Sequence, residues 1–238
     1  MTDRETLIAD AFVELADTLV DDFDLVDFLN TVVERAVGLV DAQAGGIMLS
    51  NQRGGLEVMA ASSHATRLVE LFELQNEEGP CLDAFQSGRS VTRVGQAEML
   101  ASWPSFTPRL AEAGFASAQA VPMRLRSEVI GALNIFRTSP GALTDAEMKL
   151  IRALADVATV GILQQRALAA RTQLADQLQA ALDSRVLIEQ AKGVLAERSG
   201  IGVDEAFTTI RRHARNTGTP LRTVVQRIID GTLRPPLA

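Results

Sequence analysis

Arg211, Arg212 and Arg215 stand close together near the end of the 238-residue chain, with Arg185 and Lys192 upstream and Arg222 downstream. Residues three and four apart are neighbours on a helix, so the three central arginines form one cationic patch. Guanidinium groups grip phosphates through a planar fork and stack on splayed loop bases. The chemistry of such a set is recognition of structured RNA by shape and backbone, with a few base contacts. Each cation that neutralises a phosphate would add about 0.7–0.9 to the salt slope of binding. Arginines on a helix are also commonly just a solvated face, so the patch alone does not decide the matter. Aromatic platforms are not expected on this surface, because Phe207 reads as a core residue.

Other chemistry has less support. Cys81 follows Gly79-Pro80 near a helix start, where a lowered pKa could make it a redox sensor; the competing reading is a small buried packing residue. His64 and His213 each stand alone in their segments. No Cys/His cluster supplies the three or four ligands of a metal centre, so no metal site is read. Haem ligation by His64 and a Cys81–His64 nucleophile are alternatives with no second motif behind them. No Walker-type phosphate loop is present, and Gly45-Gly46 and Gly54-Gly55 read as turn residues. An enzyme is not expected, and the cofactor is unknown.

The composition permits a buried core, with 47% hydrophobic and 22% charged residues, but one Trp, nine Phe and no Tyr leave packing to aliphatic side chains. One cysteine excludes an internal disulfide framework and fits a reducing cytoplasm. No segment approaches the ~20 apolar residues of a membrane span, and the acidic N-terminus lacks a signal-peptide pattern. The expectation is a cytoplasmic protein with no membrane role. Net charge is −7, yet residues 183–238 carry nine Lys/Arg against six Asp/Glu. An acidic body therefore carries a mildly basic tail, which suggests two tasks.

The elements that must position these residues follow from periodicity. Leu7, Ile8, Ala11, Phe12, Leu15 and Leu19 predict one helix; Leu25, Phe28, Leu29, Val32, Val33 and Ala36 predict a second, capped by Asp24. Gly45–Ser50 and Leu56–Ala61 predict a hairpin about the linker Asn51-Gln52-Arg53-Gly54-Gly55. Short helices are predicted over Ala65–Leu74 and Pro104–Ala113, with a break at Gly79-Pro80. A second hairpin joins Ala118–Arg126 to Glu128–Phe136 through Ser127; Pro122 within it belongs at an edge or bulge. Thr144 and Glu147 have capping-box spacing, flanked by a Leu143–Met148 staple. From there the helical pattern runs unbroken to about Gly193. Leu168, Ala175, Leu178 and Leu182 make a seam, interrupted by Arg171 and Arg185, that reads equally as a dimerising coiled coil or a monomeric connector. Three amphipathic stripes then follow, the last opened by Thr219 as N-cap and Pro220 as first helical residue.

Gly79-Pro80-Cys81-Leu82-Asp83-Ala84-Phe85, then Ala120-Val121-Pro122-Met123 and Ile130-Gly131-Ala132-Leu133-Asn134-Ile135, resemble the GAF domain, a sensory α/β module. That likeness implies an α+β fold with an antiparallel sheet flanked by helices and a small-molecule ligand pocket beneath a covering segment. Arg185, Ile188-Glu189-Gln190-Ala191-Lys192-Gly193-Val194-Leu195, Glu205-Ala206-Phe207, Ile210-Arg211 and Ala214 are similar to the ANTAR domain of bacterial antiterminators. This resemblance implies a three-helix bundle that binds dual stem-loop RNA, usually as a homodimer, and favours an antiterminator over a terminator. Val203 and Val225 depart from the pattern, standing where that family often has a small polar cap and an alanine; local loosening of the bundle is the expected result. The resulting partition is a GAF-like sensor over 1–165, a helical connector or coiled coil over 166–182, and an ANTAR-like RNA-binding domain over 183–238. RNA contacts are expected from Lys192, Arg211, Arg212, Arg215, Arg185 and Arg222, and core packing from Ala191, Gly193, Ala206 and Phe207. The rival readings are a DNA-binding helix-turn-helix regulator and a protein-binding adaptor.

Overall fold

Alternating and helical hydrophobic patterns become strands and helices in a computed structural model, which describes residues 3–19, 23–51, 54–233 and 235–236. The order is α1 (Asp3–Thr18), α2 (Leu25–Leu39), β1 (Ala44–Ser50), β2 (Leu56–Ala61), α3 (His64–Asn76), α4 (Pro80–Ser87) and β3 (Val91–Val94). Then come α5 (Gly95–Ser102), α6 (Phe106–Glu112), β4 (Ser117–Leu125), β5 (Glu128–Arg137), α7 (Asp145–Ser199), α8 (Val203–Thr217) and α9 (Leu221–Ile229). Two units result, Met1–Gln165 and Arg166–Ala238.

In the first unit an antiparallel sheet runs in the order β2-β1-β5-β4-β3. Side chains alternate across it with period two. Ile47, Leu49, Val121, Met123, Leu133 and Ile135 face a core completed by Phe28, Leu29, Val32 and Val33 of α2 and by Ile151, Leu154, Ala155, Ala158 and Ile162 of α7. The intervening residues face the opposite way: Ala44, Ala118 and Phe136 meet Trp103, Phe106 and Leu110, while Met48, Ala120 and Ala132 meet Cys81 and Ala84. The fold class is α+β, as the sequence implied.

Local chemistry sets the helix ends. Asp24 accepts from the Val26 and Asp27 amides at 2.8 and 3.0 Å. Thr144 and Glu147 form the reciprocal capping box, with Thr144 N–H donating to Glu147 Oε2 at 2.9 Å and Glu147 N–H to Thr144 Oγ1 at 3.3 Å. Burial of Leu143 and partial burial of Met148 in the same core complete the staple. Pro122 lies beyond the last β3 pair, Val91 with Ala120, so that stretch of β4 is paired on one side only; a register shift follows at Met123/Arg124.

Several expectations are corrected. The break at Gly79-Pro80 opens α4, because proline suits the first turn of a helix. One helix expected over 104–113 is preceded by a separate α5, and β3 has no strong apolar alternation to announce it. Gly45 and Gly46 lie within β1 rather than in a turn. The long helix passes through Gly193 to Ser199. Thr219 does not cap α9, whose N-cap is Pro220. Gln52 and Arg53 of the first hairpin's linker lie outside the described residues.

Two outcomes test this architecture. Thr144→Ala should lose about 1 kcal/mol by urea denaturation, the usual loss for an N-cap hydroxyl. Gly131 sits so close to β1 that an added Cβ would stand 2.1 Å from the Met48 carbonyl oxygen. Gly131→Ala should therefore lose at least about 2 kcal/mol, whereas Gly38→Ala, on an exposed helical position with nothing within 4 Å, should be neutral or stabilising.

Candidate nucleic-acid interface

The second unit closes over a small apolar core. Ala191 and Leu195 of α7, Ala206, Ile210 and Ala214 of α8, and Val224, Val225 and Ile228 of α9 are buried together. Val225 is fully buried, so it fills the bundle rather than loosening it. Val203 is exposed at the first position of α8, which lacks a side-chain cap but carries Asp204 and Glu205 in its first turn, where carboxylates favour the positive helix end. Gly218 ends α8 in the left-handed conformation, at φ 61°, and the chain turns at once into α9. Arg198 Nη1 donates to the Ile228 carbonyl at 2.9 Å, tying the end of α7 to the end of α9.

This scaffold gathers Arg211, Arg212 and Arg215 around one concavity of about 310 Å³, whose other walls are Phe207, Thr208 and Asn216. None of the three arginines forms an ion pair among the described residues, so their guanidinium groups are free to meet an anion. Part of the Arg215 role is structural, since a cation in the last turn of α8 complements the helix dipole. Lys192 is differently placed. Its side chain is only 15% exposed and pairs with Glu189 at 2.9 Å, so a phosphate would have to displace that carboxylate. Arg185 and Arg222 are exposed but line no part of the concavity.

Phe207 is the residue the sequence misplaced. It is half-buried at the edge of the core, and its ring lies beneath Lys192 Nζ and the Arg211 guanidinium, each 5.6 Å from the centroid. An aromatic face flanked by cations is a stacking platform, contrary to the expectation that none would be present. Its position at the margin of the α8 stripe, three residues before Ile210 and four before Arg211, was the available signal. Gly193 also departs from expectation: it is exposed and nothing stands within 4 Å of where a Cβ would be, so it does not serve close helix contact. Ala191 and Ala206 are fully buried.

In the first unit Cys81 is fully buried among Met48, Ala84, Ala120 and Ala132. Burial pushes its thiol well above the usual range, and the neighbouring Glu73 and Glu70 push the same way. A reactive thiol needs the opposite shift, so the expected lowering of its pKa is corrected. His64 is exposed at the start of α3, and no hydrogen bond joins it to Cys81 among the described residues. Beneath α3 the two glutamates are themselves displaced: burial raises Glu70 to about 8, and burial together with the Glu70 charge raises Glu73 well above the usual carboxylate range. On the outer surface, a cleft of about 440 Å³ is lined by Arg89, Ser90, Arg124, Arg152 and Asp156, and an apolar one of similar volume lies between α3 and α6. No described helix is long and apolar enough to cross a membrane.

Comparison with known proteins finds two family matches, one in each unit. A family profile described as the GAF domain matches residues 24–163, and one described as the ANTAR domain matches residues 176–229. Among solved structures, the GAF domain of an Acinetobacter phosphoenolpyruvate-protein phosphotransferase is 16% identical, covers 70% of this chain and 97% of its own, and superposes with a TM-score of 0.54. The corresponding domain from Coxiella burnetii gives 17%, 69%, 98% and 0.55. A phycoerythrobilin-bound GAF domain from a cyanobacterial phytochrome gives 16%, 71%, 99% and 0.51. At these identities the likeness concerns the fold. A search of curated proteins found no match. GAF domains are sensory modules and ANTAR domains are RNA-binding antitermination modules, regulatory parts rather than catalytic ones. The chain belongs to the GAF domain family and carries an ANTAR domain at its C-terminal end.

Proposed function

We propose that this chain is a signal-responsive regulator whose C-terminal unit binds RNA carrying two stem-loops and promotes transcription antitermination. The observation that carries the reading is the set of Arg211, Arg212 and Arg215, free of ion pairs and grouped around the half-exposed ring of Phe207. Forked cations suit the phosphates of a folded loop, and the ring suits one unstacked base. Arg185, Arg222 and Lys192 extend the contact, with Lys192 engaging once Glu189 has been displaced.

A homodimer joined through α7 supplies the second RNA-binding unit. Every residue from 166 to 183 is exposed, including Leu168, Leu174, Leu178 and Leu182, each at 56–59%. An isolated helix presenting four leucines to water gains by pairing with a second copy. Two linked weak sites then bind a double hairpin through effective concentration. A small molecule acting on the GAF unit would alter α7, which begins in the core of that unit and continues into the bundle.

The test is a titration of the full chain against a dual-hairpin RNA, its single-hairpin half and a duplex DNA at two salt concentrations. The dual hairpin should bind best. Replacing Arg211, Arg212 and Arg215 with alanine should weaken it at least 100-fold and reduce the salt slope by roughly 2–3, at 0.7–0.9 for each phosphate left without its cation. Phe207→Leu, which keeps an apolar side chain, should cost about 1–3 kcal/mol of RNA affinity through the missing base stack. Preference for the duplex would instead favour a helix-turn-helix DNA reader, and equal weak binding to all three an adaptor for protein partners. Separately, the Leu178→Lys/Leu182→Lys variant should be monomeric by light scattering and bind the dual and single hairpins equally.

A further inference from the structure

Helix α3 is folded against its hydrophobic pattern. Thr66, Val69, Glu70 and Glu73 share the face turned to the sheet and are buried, while Leu68 and Leu71 are left 54% and 37% exposed. Ordinary patterning would bury the leucines and hydrate the glutamates. The face that is buried instead brings two carboxylates over β1 and β5, next to the only cysteine of the chain. One ligand atom each from Glu70, Glu73 and Cys81 all lie within 4.8 Å of one another.

The surroundings offer these acids no cation. No ion pair to either glutamate forms among the described residues, and Cys81 packs in an apolar cluster with Met48, Ala84, Ala120 and Ala132. Asn134, also fully buried, reaches between the carboxylates and donates from Nδ2 to Glu70 Oε1 and Glu73 Oε2, both at 3.1 Å. Its Oδ1 is left without a partner, and so is Glu70 Oε2. Glu73 Oε1 has a local duty, accepting from the Leu82 amide at 3.0 Å at the start of α4; Glu70 has none. The space is also carved for these groups. A Cβ on Gly46 would stand 2.5 Å from Glu70 Oε1, and one on Gly79 would stand 2.5 Å from the Glu73 carboxyl carbon.

We propose that Glu70, Glu73 and Cys81, with Asn134 as fourth donor, bind one divalent transition-metal ion of the zinc type inside the GAF unit. Two carboxylates and a thiolate around a single point are a donor set for such an ion, because the sulfur disfavours magnesium and calcium. A half-turn of the Asn134 amide exchanges its nitrogen for its oxygen and gives the unpartnered Oδ1 a role. The bound ion satisfies Glu70 Oε2, and it ties α3 to α4 and β5. Binding displaces the thiol proton and any proton held by the carboxylates, leaving a cluster of at most one net negative charge in place of three separate acids.

The experiment uses the full chain, chelated while unfolded and then refolded with cobalt(II), zinc or magnesium, with excess metal removed by gel filtration. Elemental analysis should find one cobalt or zinc per chain and no magnesium. The cobalt form should show a thiolate-to-cobalt charge-transfer band in the near ultraviolet, which can arise only from Cys81, and zinc should raise the melting temperature of the wild-type protein. Cys81→Ala should abolish the band, and Glu70→Gln/Glu73→Gln, near-isosteric and neutral, should lower retained metal at least tenfold while keeping the circular-dichroism spectrum of a folded chain. Folded wild-type protein that retains less than a tenth of an equivalent would overturn the proposal without recourse to any variant. So would metal retained without the sulfur band, or equal retention of magnesium.

Discussion

Strand β5 is the constraint on which the sensor unit depends. It is paired on both edges, by β1 and β4, and covered on both faces, so each of its side chains has a single destination. Leu133 and Ile135 go to the core shared with α2 and α7; Ala132, Asn134 and Phe136 go to the layer of short helices. A slip of one residue would exchange the two sets and place Asn134 in the aliphatic core without its carboxylate partners. The tight approach of Gly131 to the Met48 carbonyl pins that register, since no residue with a Cβ fits there.

From that register follows the division of labour between the two faces. The α2–α7 face is almost wholly apolar and takes the first turns of the long helix. The other face mixes apolar packing with a fully buried polar group of Glu70, Glu73, Asn134 and Cys81. Such a group is costly to bury and destabilises unless its members are satisfied, and side-chain hydrogen bonds hold the elements that cover this face. Glu78 accepts from the Ser105 and Phe106 amides at 2.7 and 2.9 Å to cap α6, and the Trp103 indole donates to Asp83 at 3.0 Å. The C-terminal unit works on simpler terms: a minimal apolar core of alanines and branched aliphatics, with its charges on the outside.

Helix α7 belongs to both descriptions. Its first turns bury Ile151, Leu154, Ala158 and Ile162, its middle is exposed on every side, and its last turns bury Ala191 and Leu195. Because the exposed middle has little tertiary packing to hold it, its pairing would be the natural variable for a signal under the proposed function. Under the proposed function, regulation through the helix would need no rearrangement of the arginine-lined surface itself, only a change in how two copies of it are presented.

The sequence by itself determined the elements whose signals are local. The capping box at Thr144 and Glu147, the Asp24 cap, the two hairpins and the three C-terminal stripes involve residues a few positions apart, where backbone hydrogen bonding and periodicity decide the outcome. Grouping Arg211, Arg212 and Arg215 needed only helical geometry. Tertiary structure alone decided where α3 points, because Leu68 and Leu71 compete with Val69, Glu70 and Glu73 for the sheet, and the winner depends on Asn134 and Cys81, 61 and 8 positions from Glu73. It also decided that Phe207 lies at the rim of its bundle, since the depth of a stripe's edge residue is set by the neighbouring helix and not by its own. The elements around Gly79 were obscured for the same reason: α4 and β3 are short, and short elements owe their conformation to what they pack against rather than to any period of their own.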